Sequence, residues 1–250
     1  MPDHTDLDVP FFNPSEYIKY YVNTAVKSDT TMRRQEVRVG CQTQSAPLMV
    51  RMLDRRSRWG IDNGLRTVIP TALTFGLLGY PFVLPDMIGG NEYEDVTIDS
   101  ELYIRWLQVN IFLPAIQFSI PPWRFNDPTI TEQTKNLLNL RQSYRRTFEQ
   151  LTDEAVRHGW PIVRPLWWIV ASTNTSSPAF WVDDQFLLGN DILVAPVVEP
   201  GTLKRDIYLP PGQWKDVLAD NLVAGGRWLL NYPADLNTLP FFERQVCCVV

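Results

Sequence analysis

The chain has 250 residues, 45% of them hydrophobic, enough to bury a sizeable core in one large domain, or in one domain plus a small appendage. Its 23 basic and 28 acidic residues give a net charge of -5 with no Lys/Arg block, which argues against nucleic acid as a partner. Three cysteines without CxxC spacing and two histidines make neither a disulfide framework nor a transition-metal site, so carboxylates are left to carry chemistry.

In chain order, Asn13-Pro14-Ser15-Glu16 reads as a helix start, with Asn13 as N-cap and Pro14 at the first helical position, and the helix runs to about Lys27. Pro47 to Met52 is a short, largely apolar run ending at Leu53-Asp54, as expected of a buried strand. A helix follows at Leu65 to Leu78, stopped by Gly79. Tyr80 to Pro85 is the next strand, closing on Asp86 and a Gly89-Gly90 loop. Asp99-Ser100 caps a helix through Val109, Phe112 to Phe118 reads as another strand, and Thr131 to His158 as one long amphipathic helical segment. Ile162 to Val170 reads as one more buried strand. Strands alternating with helices argue for a parallel sheet, either open and doubly wound or part of a (β/α)8 barrel.

From about Ala171 the pattern changes to short strands and turns. Phe186-Leu187-Leu188 and Ile192 to Ala195 flank Gly189-Asn190-Asp191, a hairpin signal, and Ile207 to Leu209 leads into the turn Pro210-Pro211-Gly212. The expected division is a partial barrel over 1–174 and a β-rich domain over 175–250. No run of about 18 uncharged apolar residues occurs, so no membrane span is expected. Met1 to Pro10 has no apolar h-region and reads as no signal peptide, while the lone sequon Asn174-Thr175-Ser176 points weakly to the secretory pathway (endoplasmic reticulum, lysosome or outside the cell).

In a parallel barrel the active site lies at the C-terminal ends of the strands. Two strands end in aspartate, Asp54 and Asp86, and Trp59 and Trp123 fall in loops expected on the same face. Taken singly, each aspartate is as readily a cap or turn former. Asp62-Asn63-Gly64 reads as a cap and turn before the helix at Leu65. Arg38, Arg51, Arg55, Arg56 and Arg58 surround Asp54 in sequence; most are expected to be solvated, because an arginine beside a general acid opposes the pKa it needs.

Five ordered motifs then resemble glycoside hydrolase family 31. Tyr80-Pro-Phe-Val-Leu-Pro-Asp86-Met-Ile-Gly-Gly90 is similar to that family's "F-x-G-x-D-I-G-G-F", and Trp106-Leu-Gln-Val-Asn-Ile-Phe-Leu-Pro114 to its "W-x-Q-x-G-A-F-x-P". Gly159 to Pro165 is similar to its "G-x-P-v-m-R-P", and Leu188 to Val198 and Leu209 to Trp214 resemble the entry into its proximal β-domain. Arg51 to Asp54, Trp59 to Leu65 and Gln117 to Trp123 resemble the myogenesis-regulating glycosidase subgroup, which is associated with α-galactosidase activity.

The resemblance implies the C-terminal half of a (β/α)8 barrel followed by a partial β-sandwich, a retaining mechanism on α-linked hexosides (α-galactoside or α-glucoside), a carbohydrate partner and no cofactor. It implies that Asp54 is the acid/base, sixteen residues after a substrate-binding Arg38 that fixes the register, with Asp62 as the rival. Asp86, Trp59, Ser119 and Trp123 are implied at the sugar site. Two departures stand out. Gln117-Phe118-Ser119 replaces "R-L-H", putting a hydroxyl where the family has an imidazole. The "K-x-D-x-x-E"-like strand end that carries the family's nucleophile has no counterpart; Asp3, Asp6 and Asp8 follow no buried strand. The expectation is therefore a fragment with half an active site, the alternative a truncated, non-catalytic sugar-binding or regulatory relative. Cys247 stands four from the end, as in a prenylation signal, but Val250 is not a preferred last residue, so the tail reads as a truncation scar.

Overall fold

A computed structural model describes residues 13–31, 35–38, 40–93, 96–171 and 176–245. Asp3, Asp6 and Asp8, most of the sequon and the two C-terminal cysteines lie outside them.

Helix α1 (Pro14–Ser28) starts as the sequence dictates: the Asn13 side chain accepts from the Ser15 amide and closes one of the free N–H groups of the first turn. Strands β1 (Glu36–Val37), β2 (Met49–Arg51) and β3 (Val83–Leu84) lie parallel in that order. Across Pro85 and Asp86 the chain continues into β4 (Met87–Ile88), which pairs in parallel with β5 (Gln117–Phe118). Helices α2 (Val68–Leu77) and α3 (Ser100–Asn110, N-capped by Asp99) are the crossovers. A partial (β/α)8 barrel follows from this order, and the open sheet drops out.

Several strands are shorter than the apolar runs suggested. Only Val83–Leu84 of the Tyr80–Pro85 run is strand, because Pro81 and Pro85 bring no amide to a ladder. Ile111 to Leu113 are fully buried yet extend the end of α3, Leu113 turning back onto the Asn110 carbonyl. An apolar run reports burial and leaves strand and helix undecided. The Thr131–His158 segment is two helices, α4 (Pro128–Ser143, capped by Asp127) and α5 (Arg145–His158), broken at Tyr144.

The largest revision concerns Ile162–Val170. Only β6 (Val163–Arg164) is strand, Leu166–Ile169 coils into a 3-10 turn, and β6 pairs antiparallel with β7 (Phe186–Leu188). It begins a six-stranded sheet ordered β11-β10-β13-β8-β7-β6, in which β8 is Ile192–Val194, β10 Gln213–Asp216, β11 Asn221–Ala224 and β13 Phe241–Gln245. The strands β9 (Lys204–Leu209) and β12 (Arg227–Pro233) pair separately as an antiparallel ribbon. The Gly189-Asn190-Asp191 hairpin joins β7 to β8 as expected.

Strands β7 and β8 are buried on both faces, which is why they are unbroken apolar runs. Phe186, Leu188, Ile192, Val194 and Phe241 enter the main core with α2 and α3. The alternate residues Leu187, Leu193, Trp214 and Phe242 pack with Ile207 and Leu209 of the ribbon in a second core. Helix α3 is buried on every side between barrel and sheet. Its Arg105 donates to the Thr202 and Ala234 carbonyls at 2.9 and 2.8 Å, and burial pushes its pKa down to about 10. The two regions share one core, and the site lies at the strand ends of the first.

Candidate active site

The parallel strands aim their C-terminal ends at one place. Arg38 follows β1 directly, Asp54 comes three residues after β2, Asp86 two after β3, and Ser119 directly after β5. Residues far apart in sequence are thereby gathered at one edge.

Asp54 is the most engaged exposed carboxylate there. Arg38 Nη2 donates to its Oδ1 at 2.5 Å, with Arg51 Nη2 at 3.6 Å from the same oxygen. The Tyr93 hydroxyl donates to Oδ2 at 2.6 Å. The side chain keeps 29% of its exposure. Tyr93's hydrogen bond holds the Asp54 pKa below the ordinary aspartate value; partial burial opposes this, and Arg38 and Arg51 reinforce it.

Asp86 is a carboxylate of another kind: wholly buried, at φ +73. Its Oδ1 takes Arg51 Nη2 at 2.6 Å; its Oδ2 takes the Arg55 amide at 2.6 Å and Asn91 Nδ2 at 3.0 Å. These bonds knit the loop after β2 to the loop after β4. Gly90 is needed for that approach, since at φ +74 a Cβ would sit 2.9 Å from the Arg56 carbonyl carbon. Asp86 therefore presents no atom to a ligand, and its expected place in direct sugar contact gives way to a role inside the wall.

Asp62-Asn63-Gly64 forms the turn the sequence suggested. Asn63 Nδ2 donates to the Asp54 carbonyl at 2.7 Å, and Gly64 lies where a Cβ would come 2.5 Å from the Arg58 carbonyl. The Asp62 carboxylate points outward, 78% exposed and paired with Arg58 at 2.6 Å. Of the five arginines expected to be mostly solvated, Arg51 is half-buried between two aspartates and Arg55 is buried. Asp54 and Asp86 pair with Arg51, whereas the Arg55 guanidinium is held by the neutral acceptors Asn63 Oδ1 and Thr67 Oγ1.

Trp59 packs partly buried against the main core instead of offering an open face. Trp123 is 71% exposed and, with exposed Ser119, borders an open groove of about 520 Å³ beside Phe118, Lys135 and Leu138. Arg124, next to Trp123, pairs with Glu92, the residue before Tyr93. Arg38, Asp54 and Asp86 are thus brought together; Asp62, Trp59, Ser119 and Trp123 lie around them. Tyr93 and Asn91 went unnoticed in the sequence, and Asn63 was read only as part of a turn. Arg51, a cation closing an apolar strand, was the one available signal. Among the described residues no group of three or more His, Cys, Asp or Glu side chains could hold a metal ion, and no helix is long and apolar enough to cross a membrane.

Comparison with known proteins bears on the family and the fold. The Glycosyl hydrolases family 31 TIM-barrel domain profile matches residues 52–145, and the Glycosyl hydrolase family 31 C-terminal domain profile matches 159–246. Myogenesis-regulating glycosidase of Mus musculus is 42% identical over 93% of this chain and 33% of its own length. SITS-binding protein of Tetronarce californica is 39% identical over 84% of this chain and 30% of its own. The crystal structure of a GH31 α-xylosidase from a soil metagenome, complexed with xylose, superposes with a TM-score of 0.75 at 25% identity, covering 94% of this chain and 38% of that one. The chain spans about a third of the length of the curated relatives it matches.

Proposed function

The chain belongs to glycosyl hydrolase family 31, and from that premise we propose that the protein carrying it is a retaining hydrolase of α-linked hexosides with Asp54 as its acid/base. The observation that carries the reading is the Arg38–Asp54–Tyr93 cluster at the C-terminal ends of parallel strands, the one exposed carboxylate there fixed through both oxygens. Asp62 lacks such support: it faces solvent and pairs with Arg58 on its own turn.

In this mechanism a second carboxylate, about 5–5.5 Å away, attacks the anomeric carbon while Asp54 protonates the departing oxygen. Asp54, now ionised, takes a proton from water as that water opens the glycosyl ester. The second carboxylate is assigned to no described residue, since Asp86 is enclosed; we assign it to a barrel strand that precedes α1 in the complete protein. Its charge also completes the electrostatics. Arg38, Arg51 and Tyr93 hold Asp54 ionised, and a like charge beside it raises its proton affinity for the first step. Forming the ester removes that charge and returns Asp54 to the base form.

Arg38, 44% exposed in its side chain, keeps donors for a sugar hydroxyl, and Ser119 and Trp123 supply a hydroxyl and an aromatic face nearby. The hydroxyl of Ser119 in place of an imidazole, with the likeness to the myogenesis-regulating glycosidase, favours α-galactosides over α-glucosides. The test joins this chain to the preceding barrel half from the same source and assays nitrophenyl α-galactoside and α-glucoside. Turnover abolished by Asp54→Asn supports the reading; no turnover of either substrate, or rates indifferent to that substitution, removes it. The likeness to SITS-binding protein favours a second reading, a binding relative without turnover. Saturable glycan binding with no hydrolysis would select it.

A further inference from the structure

Both oxygens of Asp54 are occupied, by partners of different capability. Arg38 on Oδ1 can only donate, and Arg51 stands behind it on the same side. A proton on Asp54 therefore belongs on Oδ2, the oxygen that meets Tyr93. A phenol hydroxyl is both donor and acceptor. We propose, on the reading of Asp54 as acid/base, that Tyr93 is the positioning residue that lets Asp54 alternate between base and acid. While Asp54 is a carboxylate, Tyr93 donates to Oδ2. When Oδ2 carries the proton, the C–O–H torsion of Tyr93 turns and its oxygen accepts it, until the leaving-group oxygen takes the proton and Tyr93 donates again. Tyr93 keeps its own proton throughout, so the balance closes with Asp54, leaving group and water alone.

The loop is built to hold this ring. Tyr93 is 46% exposed, yet the two residues before it are both anchored. Asn91 bonds Asp86 and, through its amide, the Arg55 carbonyl at 2.8 Å. Glu92 accepts the Ile98 amide at 3.0 Å and pairs with Arg124. The charged groups around Asp54 are then Arg38 after β1, Arg51 at the end of β2, and Asp86, which shares Arg51. Arg38 and Arg51 can only donate, and both oxygens of Asp86 are taken by its own donors; the Tyr93 hydroxyl both donates and accepts.

The test reads Asp54 directly by its carboxyl carbon resonance in aspartate-labelled protein, assigned with Asp54→Asn, across a pH titration. In Tyr93→Phe the Asp54 midpoint moves up, because the charged form has lost a donor. Reciprocally, in Asp54→Asn the Tyr93 phenol, raised in the wild type chiefly by its bond to Asp54, titrates at lower pH. An unchanged Asp54 midpoint in Tyr93→Phe, or an unchanged phenol in Asp54→Asn, overturns the proposal. In the complete, active protein the alkaline limb of kcat/KM, where Asp54 loses the proton it must donate, follows the Asp54 midpoint upward, and kcat falls roughly 10-fold with KM little changed. A merely structural Tyr93 would lower both variants' stability and leave the limb in place. Midpoints that move in a protein without turnover keep the Asp54–Tyr93 coupling and remove the hydrolase reading.

Discussion

The parallel strands and the antiparallel sheet use their polar groups in opposite ways. In β1 to β5 each strand is only two or three residues long, and the residues just beyond the strands carry the charges: Arg38, Asp54, Asp86 and, at the end of β2, Arg51. Parallel strands end on the same side, so four separate segments deliver side chains to one edge. In the sheet from β6 to β13 successive ends alternate sides and nothing converges. Its polar contacts are anchors: Tyr144 donating to Glu243 at 2.6 Å, Tyr232 to both oxygens of Asp216, and Arg205 bound to Asp184 at 3.0 Å. On the proposed reading the first region should lose function when a charge is changed, and the second should lose only stability.

The sharpest way to break that contrast is Asp54→Asn in the complete protein. The expected loss in kcat is on the order of 10²–10⁴-fold, with the thermal midpoint nearly unchanged, read by initial rates beside a melting curve. The mirror experiment is Trp214→Ala. That ring is fully buried in the second core and donates to the Pro210 carbonyl at 2.8 Å, so about 3–5 kcal/mol should be lost in denaturant titration. The carboxyl resonance of Asp54 should not move in that variant, and a shift would mean that the sheet does shape the site.

Asp86→Asn tests the border between the two behaviours. It keeps the acceptors for Asn91 and the Arg55 amide but leaves Arg51 without its closest charge, at a cost of roughly 2–3 kcal/mol. Because Arg51 then turns to Asp54 alone, the Asp54 midpoint should fall further. A smaller effect is expected from Arg66→Ala, which cuts the surface pairs with Asp183 and Glu199 that cross from the start of α2 to the sheet region. Its exposed partners limit the loss to about 1 kcal/mol or less in denaturant titration.

The smallest effect is the acid dependence of stability. Asp54 has its folded pKa lowered, so its contribution is present above the ordinary aspartate value of about 4 and is lost as pH falls through the lowered one. The wild type should show a shallow decline there that Asp54→Asn lacks.

Local chemistry in the sequence already spelled out much of this. Asn13 and Asp99 announced their helices because a short side chain can bond its own next turn. The hairpin between β7 and β8 was legible for the same local reason, and aspartates closing apolar runs placed Asp54 and Asp86 at strand ends. What stayed hidden depended on partners far along the chain. Val163–Arg164 is as buried as a parallel strand, and only its neighbour, 25 residues later at Leu188, makes it the first strand of the antiparallel sheet. The arginines around Asp54 could not be sorted either, since Arg51 is held by Asp86, 35 residues away.

The sequence by itself determined the family, the helix starts and which aspartates close apolar runs, because caps, turns, apolar runs and motifs are properties of neighbours. Only the tertiary structure decided which carboxylate is exposed and held at both oxygens and which is sealed in the wall. Exposure, and the bond from Tyr93 to an aspartate 39 residues before it, exist only once separate strands have been set side by side.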